Sequence, residues 1–145
     1  MLTLGFASGC HSQRVTAPLN VTAHGVAIGM TVDQARTAFQ AQQNGTPPPA
    51  AKITDQRIEM NGFEAVFDNG RVQTIVSDRI ERNGKALSTR SEPLIFELGA
   101  PTRTAALNLT WECPDVVLRA DLEDEPPKET GRAVNAFVLG VPRAR

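Results

Sequence analysis

The feature that most constrains this chain is a series of short apolar–polar alternations separated by tight-turn dipeptides. Phe63, Ala65 and Phe67 alternate with Glu64 and Asp68, and Val72, Thr74 and Val76 alternate with Arg71, Gln73 and Ile75. A period of two sends successive side chains to opposite faces of an extended strand. Asn61-Gly62 precedes the first run and Asp68-Asn69-Gly70 separates the two. Asn-Gly accepts the left-handed backbone that a two-residue hairpin requires. With an earlier run over 52–60 that ends in Ile58 and Met60, residues 52–78 are predicted to form a three-stranded antiparallel meander.

A helix is predicted on each side of this meander. Thr31 and Gln34 have the spacing of a capping box, and Val32, Ala35, Phe39 and Gln42 fall on one stripe, so residues 32–43 read as an amphipathic helix closed by Asn44-Gly45. Pro47-Pro48-Pro49 then makes a stiff connector. Further on, Ser91 is expected to cap a second helix with Pro93 in its first turn, with Leu94, Ile95 and Leu98 buried and Gly99 and Pro101 as the stop. Strands follow again. Leu107, Leu109, Trp111 and Cys113 share a face, Pro114-Asp115 turns, Val116, Leu118, Ala120 and Leu122 line the next strand, and Val134, Ala136 and Val138 mark the last. The predicted class is α+β, built from tandem units of one helix and a three-stranded antiparallel meander. Residues 24–145 form a single domain in this reading, with repeats over about 24–83 and 84–145.

The N-terminal end carries an address. Met1–Gly9 is apolar or small and is read as the remnant of a signal peptide. Ala7-Ser8-Gly9-Cys10 resembles the bacterial lipobox, in which small residues precede a cysteine that becomes acylated. That resemblance makes Cys10 the lipid-attachment residue and residues 10–23 a polar tether. By analogy with Gram-negative sorting, it places the domain on the periplasmic face of the outer membrane. No run of about 18 apolar residues exists to span a bilayer.

Gly25-Val26-Ala27-Ile28-Gly29-Met30-Thr31, then a helix, then a Phe-rich hairpin with Asn69-Gly70-Arg71-Val72, resembles the small envelope lipoproteins of the SmpA/OmlA outer-membrane-assembly type. The same helix-then-meander unit occurs in tandem in β-lactamase-inhibitor proteins and in immunity proteins that accompany secreted toxins. In the second half Leu98-Gly99-Ala100-Pro101 matches the family's helix end, whereas Ala41-Gln42-Gln43-Asn44 stands where the first such end would fall. The resemblance implies this fold and a non-catalytic role in binding another protein. It leaves as alternatives an immunity protein neutralising a toxin, and a periplasmic small-ligand-binding or enzymatic domain.

The residues themselves narrow the chemistry. The net charge is −1 and the chain has one Trp, six Phe and no Tyr, which argues against nucleic acid as a partner. The two histidines, His11 and His24, belong to no metal or catalytic motif, and neither metal nor cofactor is expected. Trp111 reads as core. Cys113 reads as a buried, free thiol on the same face; the alternative is a disulfide with Cys10, which lipidation would exclude. The most distinctive polar stretch is Asp121–Glu129, where Pro126 stands at the sixth position that a calcium loop reserves for Gly. It is either a solvated loop or an acidic surface for a basic protein partner. In the second case Asp121, Glu123, Asp124 and Glu125 are the candidate contact residues.

Overall fold

The structure, a computed structural model, describes residues 17–43 and 51–142. It is an α+β fold in which two helices lie with one eight-stranded sheet, and every strand pairing is antiparallel. Helix α1 (Val32–Gln42) precedes strands β1 (Lys52–Ile53), β2 (Arg57–Met60), β3 (Phe63–Asp68) and β4 (Arg71–Ser77). A separate hairpin, β5 (Glu81–Arg82) with β6 (Lys85–Ala86), leads to helix α2 (Ser91–Leu98). Strands β7 (Arg103–Ala105), β8 (Asn108–Glu112), β9 (Val117–Leu122) and β10 (Val134–Gly140) complete the chain. The sheet runs β1-β2-β3-β4-β10-β9-β8-β7, so the last strand of each half meets the other at the centre.

Local chemistry explains most of these elements. The capping box at α1 is complete: Thr31 Oγ1 accepts from Gln34 N–H, and the Gln34 side chain accepts from Thr31 N–H. Ala35 and Phe39 are its buried residues, while Gln42, expected on that stripe, is exposed. Asn44-Gly45 and the proline connector lie outside the described residues. Asn69-Gly70 and Asn83-Gly84 both turn their hairpins with two consecutive positive φ values, 52° and 75° in the first and 54° and 78° in the second.

Each predicted three-strand meander has four strands. The expected single strand over 52–60 is broken at Thr54, whose Oγ1 accepts from the N–H groups of Gln56 and Arg57, folding β1 back on β2. In the second half β7 is the added strand, and Leu107 sits in the turn before β8, 37% exposed.

Two β-bulges shift the expected faces. On β4, Val66 pairs with Thr74 and Phe67 with Val72, which leaves Gln73 as an extra residue. Val72, Ile75 and Ser77 therefore point into the core, and Thr74 and Val76 point away from it. On β10, Leu122 pairs with Val134 and Asp121 with Ala136, so Asn135 is extra. Phe137 and Leu139 are the buried residues there, in place of the expected Ala136 and Val138. A single inserted residue reverses the in–out phase of everything that follows it.

The core lies on one side of the sheet. Ile58, Phe63, Ala65, Phe67, Val72, Ile75, Leu109, Trp111, Leu118, Ala120, Phe137 and Leu139 join Phe39 of α1 and Leu94 and Leu98 of α2 in one cluster. Leu19, Val21 and Ala23, expected within the tether, belong to the same cluster, so the packed chain begins before residue 24. Asp115 holds this segment by accepting from Leu19 N–H at 2.8 Å and Asn20 N–H at 3.0 Å, and Arg82 Nε donates to Leu19 O at 3.1 Å.

Ser91 does not cap α2. Arg90 is the N-cap, and Ser91 Oγ accepts from Arg132 N–H at 2.9 Å. The first helical N–H groups are satisfied by a neighbouring loop instead: Ser91 N–H donates to Arg132 O and Glu92 N–H to Thr130 O. At the other end Gly99, with φ 87°, closes the helix, and its carbonyl accepts from Trp111 Nε1 at 3.0 Å. Cys113 is buried as expected but is not free; it is disulfide-bonded.

Trp111 fills the centre of the second half with no exposed surface. Trp111→Ala is expected to cost about 3–5 kcal/mol in chemical denaturation, the usual range for truncating a core aromatic. Trp111→Phe should recover most of that loss but leave the Gly99 carbonyl without its donor. Wild-type stability in both variants would show that the indole is not a core residue.

Candidate functional site

The opposite side of the sheet is the most extensive functional candidate. No described element packs on it. One cross-strand row crosses all eight strands there: Lys52, Glu59, Glu64, Val76, Val138, Arg119, Thr110 and Arg103 are successive register partners. The neighbouring row is Arg57, Val66, Thr74, Gly140, Val117 and Glu112. The middle of this face is thus made of Val66, Thr74, Val76, Ala136, Val138, Gly140 and Val117. Val76 is 39% exposed, unusual for a β-branched residue at the centre of a sheet. Charge lies to either side and is largely paired: Arg57 with Glu64 at 2.7 Å, Arg103 with Glu112 at 2.9 Å and Arg119 with Asp121 at 2.7 Å.

The acidic stretch is distributed differently from expectation. Asp121 lies in β9 on the open face, where its bond holds the Arg119 guanidinium even more firmly protonated than usual. Glu125 turns inward to its own loop. It accepts from Ala133 N–H at 3.0 Å and from Arg90 at 3.4 Å, and these contacts, with Lys128 and Arg132 nearby, hold its carboxyl below the usual range. Arg132 also donates to the Glu123 and Glu125 carbonyl oxygens. Glu123 and Asp124 are exposed. The loop that follows β9 covers the N-terminal end of α2; of the four candidate residues Asp121 and Glu125 have partners within the fold. Cys10 lies outside the described residues.

Phe96 is not singled out by the sequence, and His24, whose place just before the first helix suggests a solvated or edge histidine, is buried. Phe96, on the outer side of α2, is 89% exposed. His24 lies in a tight turn with φ 51°, its ring 4.7 Å from that of Phe63, and neither ring nitrogen has a hydrogen-bond partner. Among the described residues no group of three or more His, Cys, Asp or Glu side chains is placed to hold a metal, and no helix is long and apolar enough to cross a membrane.

Compared with family models, with curated proteins and with solved structures, the chain matches none.

Burial lowers the His24 pKa, assisted by Arg79 and opposed by Glu81 and Asp78. The unfolded chain then takes up this proton first, near the ordinary value of 6.5. Protons bound by the unfolded state outnumber those of the folded state below that pH, so stability falls as the solution is acidified towards the folded-state pKa. Wild-type melting temperature should therefore drop between about pH 7 and pH 5. His24→Asn, which tolerates the left-handed backbone, should show a shallower slope. Equal slopes in differential scanning fluorimetry would exclude His24 as the source.

Proposed function

We propose that this chain is a non-catalytic binding domain that docks another protein on the open face of its sheet. The observation that carries this reading is the small-residue centre of that face, flanked by ion pairs and left uncovered by the described residues. Specific interfaces combine an apolar middle depleted of charge with a polar rim, and this face has that arrangement. Its strands are fixed by ladder hydrogen bonds on both sides, so little ordering is needed on association. The acidic loop is a weaker candidate, because Glu125 and Asp121 already have partners.

The element order supports the tandem reading. Helix and four strands occur twice, and the two terminal strands lie side by side. That arrangement fits the resemblance to tandem inhibitor proteins and to SmpA/OmlA-type lipoproteins, in which an assembly accessory, an inhibitor and a toxin-neutralising immunity protein would all act by docking. A toxin gene beside the coding sequence would favour the immunity role.

Export is part of the proposal and is supported by the disulfide at Cys113, since such bonds persist mainly in oxidising compartments. Cys10 is the sequence's other cysteine, and Ala7-Ser8-Gly9-Cys10 favours a lipid anchor there. One sulfur cannot hold both a thioether and a disulfide. Mass spectrometry of the protein from its native host separates the two. Loss of Met1–Gly9 with a lipid-sized gain places acyl chains on Cys10. An unlipidated chain, lighter than its reduced form by the hydrogens that oxidation removes, places both cysteines in a disulfide.

Val76→Arg tests the docking face directly. The residue is exposed enough to take a long side chain, so stability should change by no more than about 0.5 kcal/mol. Photo-cross-linking from Val138 in native envelope extract should yield discrete adducts, and Val76→Arg should remove them. The same cross-linker at Glu92, on the helical side, should yield none. Adducts from Glu92 that Val76→Arg leaves unchanged would move the site off the sheet.

A further inference from the structure

The open face is not uniform. Where β2, β3, β4 and β10 meet, it dips into a shallow groove of about 390 Å³. Val76 and Ala136 give it an apolar wall on the open face, Met60 and Phe63 border it from the core-facing side of the β2–β3 hairpin, and the carboxylate residues Glu59, Glu64 and Asp78 line it as well. The bulge at Asn135 places the methyl of Ala136, rather than a larger side chain, on this wall. Gly62 shapes the other end: a Cβ there would come within 2.5 Å of Asp78 Oδ2, so only glycine lets that carboxylate lie against the β2–β3 turn. The turn itself is held by Asp78 N–H donating to Gly62 O at 2.9 Å.

The charge of this groove is unbalanced, in contrast to the rest of the face. Glu64 has Arg57 at 2.7 Å. Among the described residues Glu59 and Asp78 form no ion pair or side-chain hydrogen bond, although Lys52 is the register partner of Glu59. Three carboxylates thus share one paired arginine around an apolar slot. A long basic side chain matches both features, because its stem packs on apolar surface while its head stays with the carboxylates.

We propose that this groove receives a lysine or arginine side chain of the docked protein. Its aliphatic stem lies along Val76 and Ala136, and its cationic head reaches Glu59, Glu64 and Asp78. The proposal rests on the reading that the open face docks a protein, and adds the chemistry of the side chain that enters it.

The test uses the full isotope-labelled chain, titrated with N-acetyl-arginine amide and, separately, with its neutral isostere N-acetyl-citrulline amide at matched ionic strength. The arginine probe should shift the amides of residues 59–64, 76–78 and 135–136 saturably, with a dissociation constant on the order of 1–100 mM, as expected for a single charged side chain. The citrulline probe should leave them unmoved. Glu59→Gln and Asp78→Asn should each weaken the response about twofold to fivefold, the range of one exposed ion pair. Equal shifts from both probes, or shifts scattered outside the groove, would overturn the proposal. A cross-linker at Thr74, on the same face but outside the groove, keeps the two readings apart. Adducts at Thr74 without a groove response would overturn the groove and leave the docking face standing. A groove response without adducts would overturn the docking face and with it the proposal, leaving a groove that takes a cation but no docked protein.

Discussion

The ladder between β4 and β10 is the contact on which the rest of the molecule depends. It pairs Ser77 with Phe137, Val76 with Val138, Ile75 with Leu139 and Thr74 with Gly140. Without it the chain would be two four-stranded meanders, each with one short helix, and neither would bury much apolar surface. With it, the inward residues of both halves form one cluster. The register is tightly specified. A slip of β10 by one residue against β4 would bring Val138 into the core and expel Phe137 and Leu139. The same ladder therefore decides which residues are core and which are presented on the open face.

Among the described residues, everything that covers the sheet is on one side of it. The segment from Leu19 to Val26 is held by Asp115 and Arg82, and α2 is held at both ends, by the 130–132 loop at its start and by the Trp111–Gly99 bond at its finish. Arg82 also donates to Glu97 O, connecting the N-terminal segment to α2 across the β5–β6 hairpin. Burial is pushing down the Arg82 pKa, a cost its hydrogen bonds and the nearby Asp115 offset. These fastenings are mostly side chain to backbone, which suits segments that have no ladder of their own.

What was legible in the sequence was whatever local chemistry decides. The Thr31–Gln34 box, the Asn69-Gly70 turn and the positions of both helices follow from nearest neighbours. Asn83-Gly84 carried the same signal as Asn69-Gly70 and marked the β5–β6 hairpin, which the sequence reading passed over. The bulges were harder, because an extra residue is settled by the partner strand. A trace does exist: Val72 and Ile75, like Val134 and Phe137, are core residues three apart, a spacing that an unbroken strand cannot place on one face. Ser91 looked like a cap because serine usually is one, yet a loop forty residues away supplies the acceptors. The acidic run reads in the sequence as either a solvated loop or a contact surface, and the inward turn of Glu125 towards Arg90 and Ala133 is not legible there because both partners come from outside the run. The groove combines residues from four strands and could not be seen before the register was known.

The contrast between the loop and the open face bears on where binding energy would come from. In the loop the Glu125 carboxylate is used within the fold, answering Ala133 and Arg90 while the Glu125 carbonyl answers Arg132, so recruiting it to a partner would first break bonds that secure α2. The open face makes no such demand. Its backbone groups are satisfied in the ladder, and its central side chains are Val, Thr, Ala and Gly, which lose little rotamer freedom when covered. Removing water from that centre is favourable in proportion to apolar area. The ion pairs around it exclude like-charged partners more than they add affinity. Within the groove Glu59 and Asp78 are exceptions, since neither has a side-chain partner among the described residues to give up. A cation placed between them gains attraction without dismantling any part of the fold, which is why specificity for a partner is better sought there than in the acidic loop.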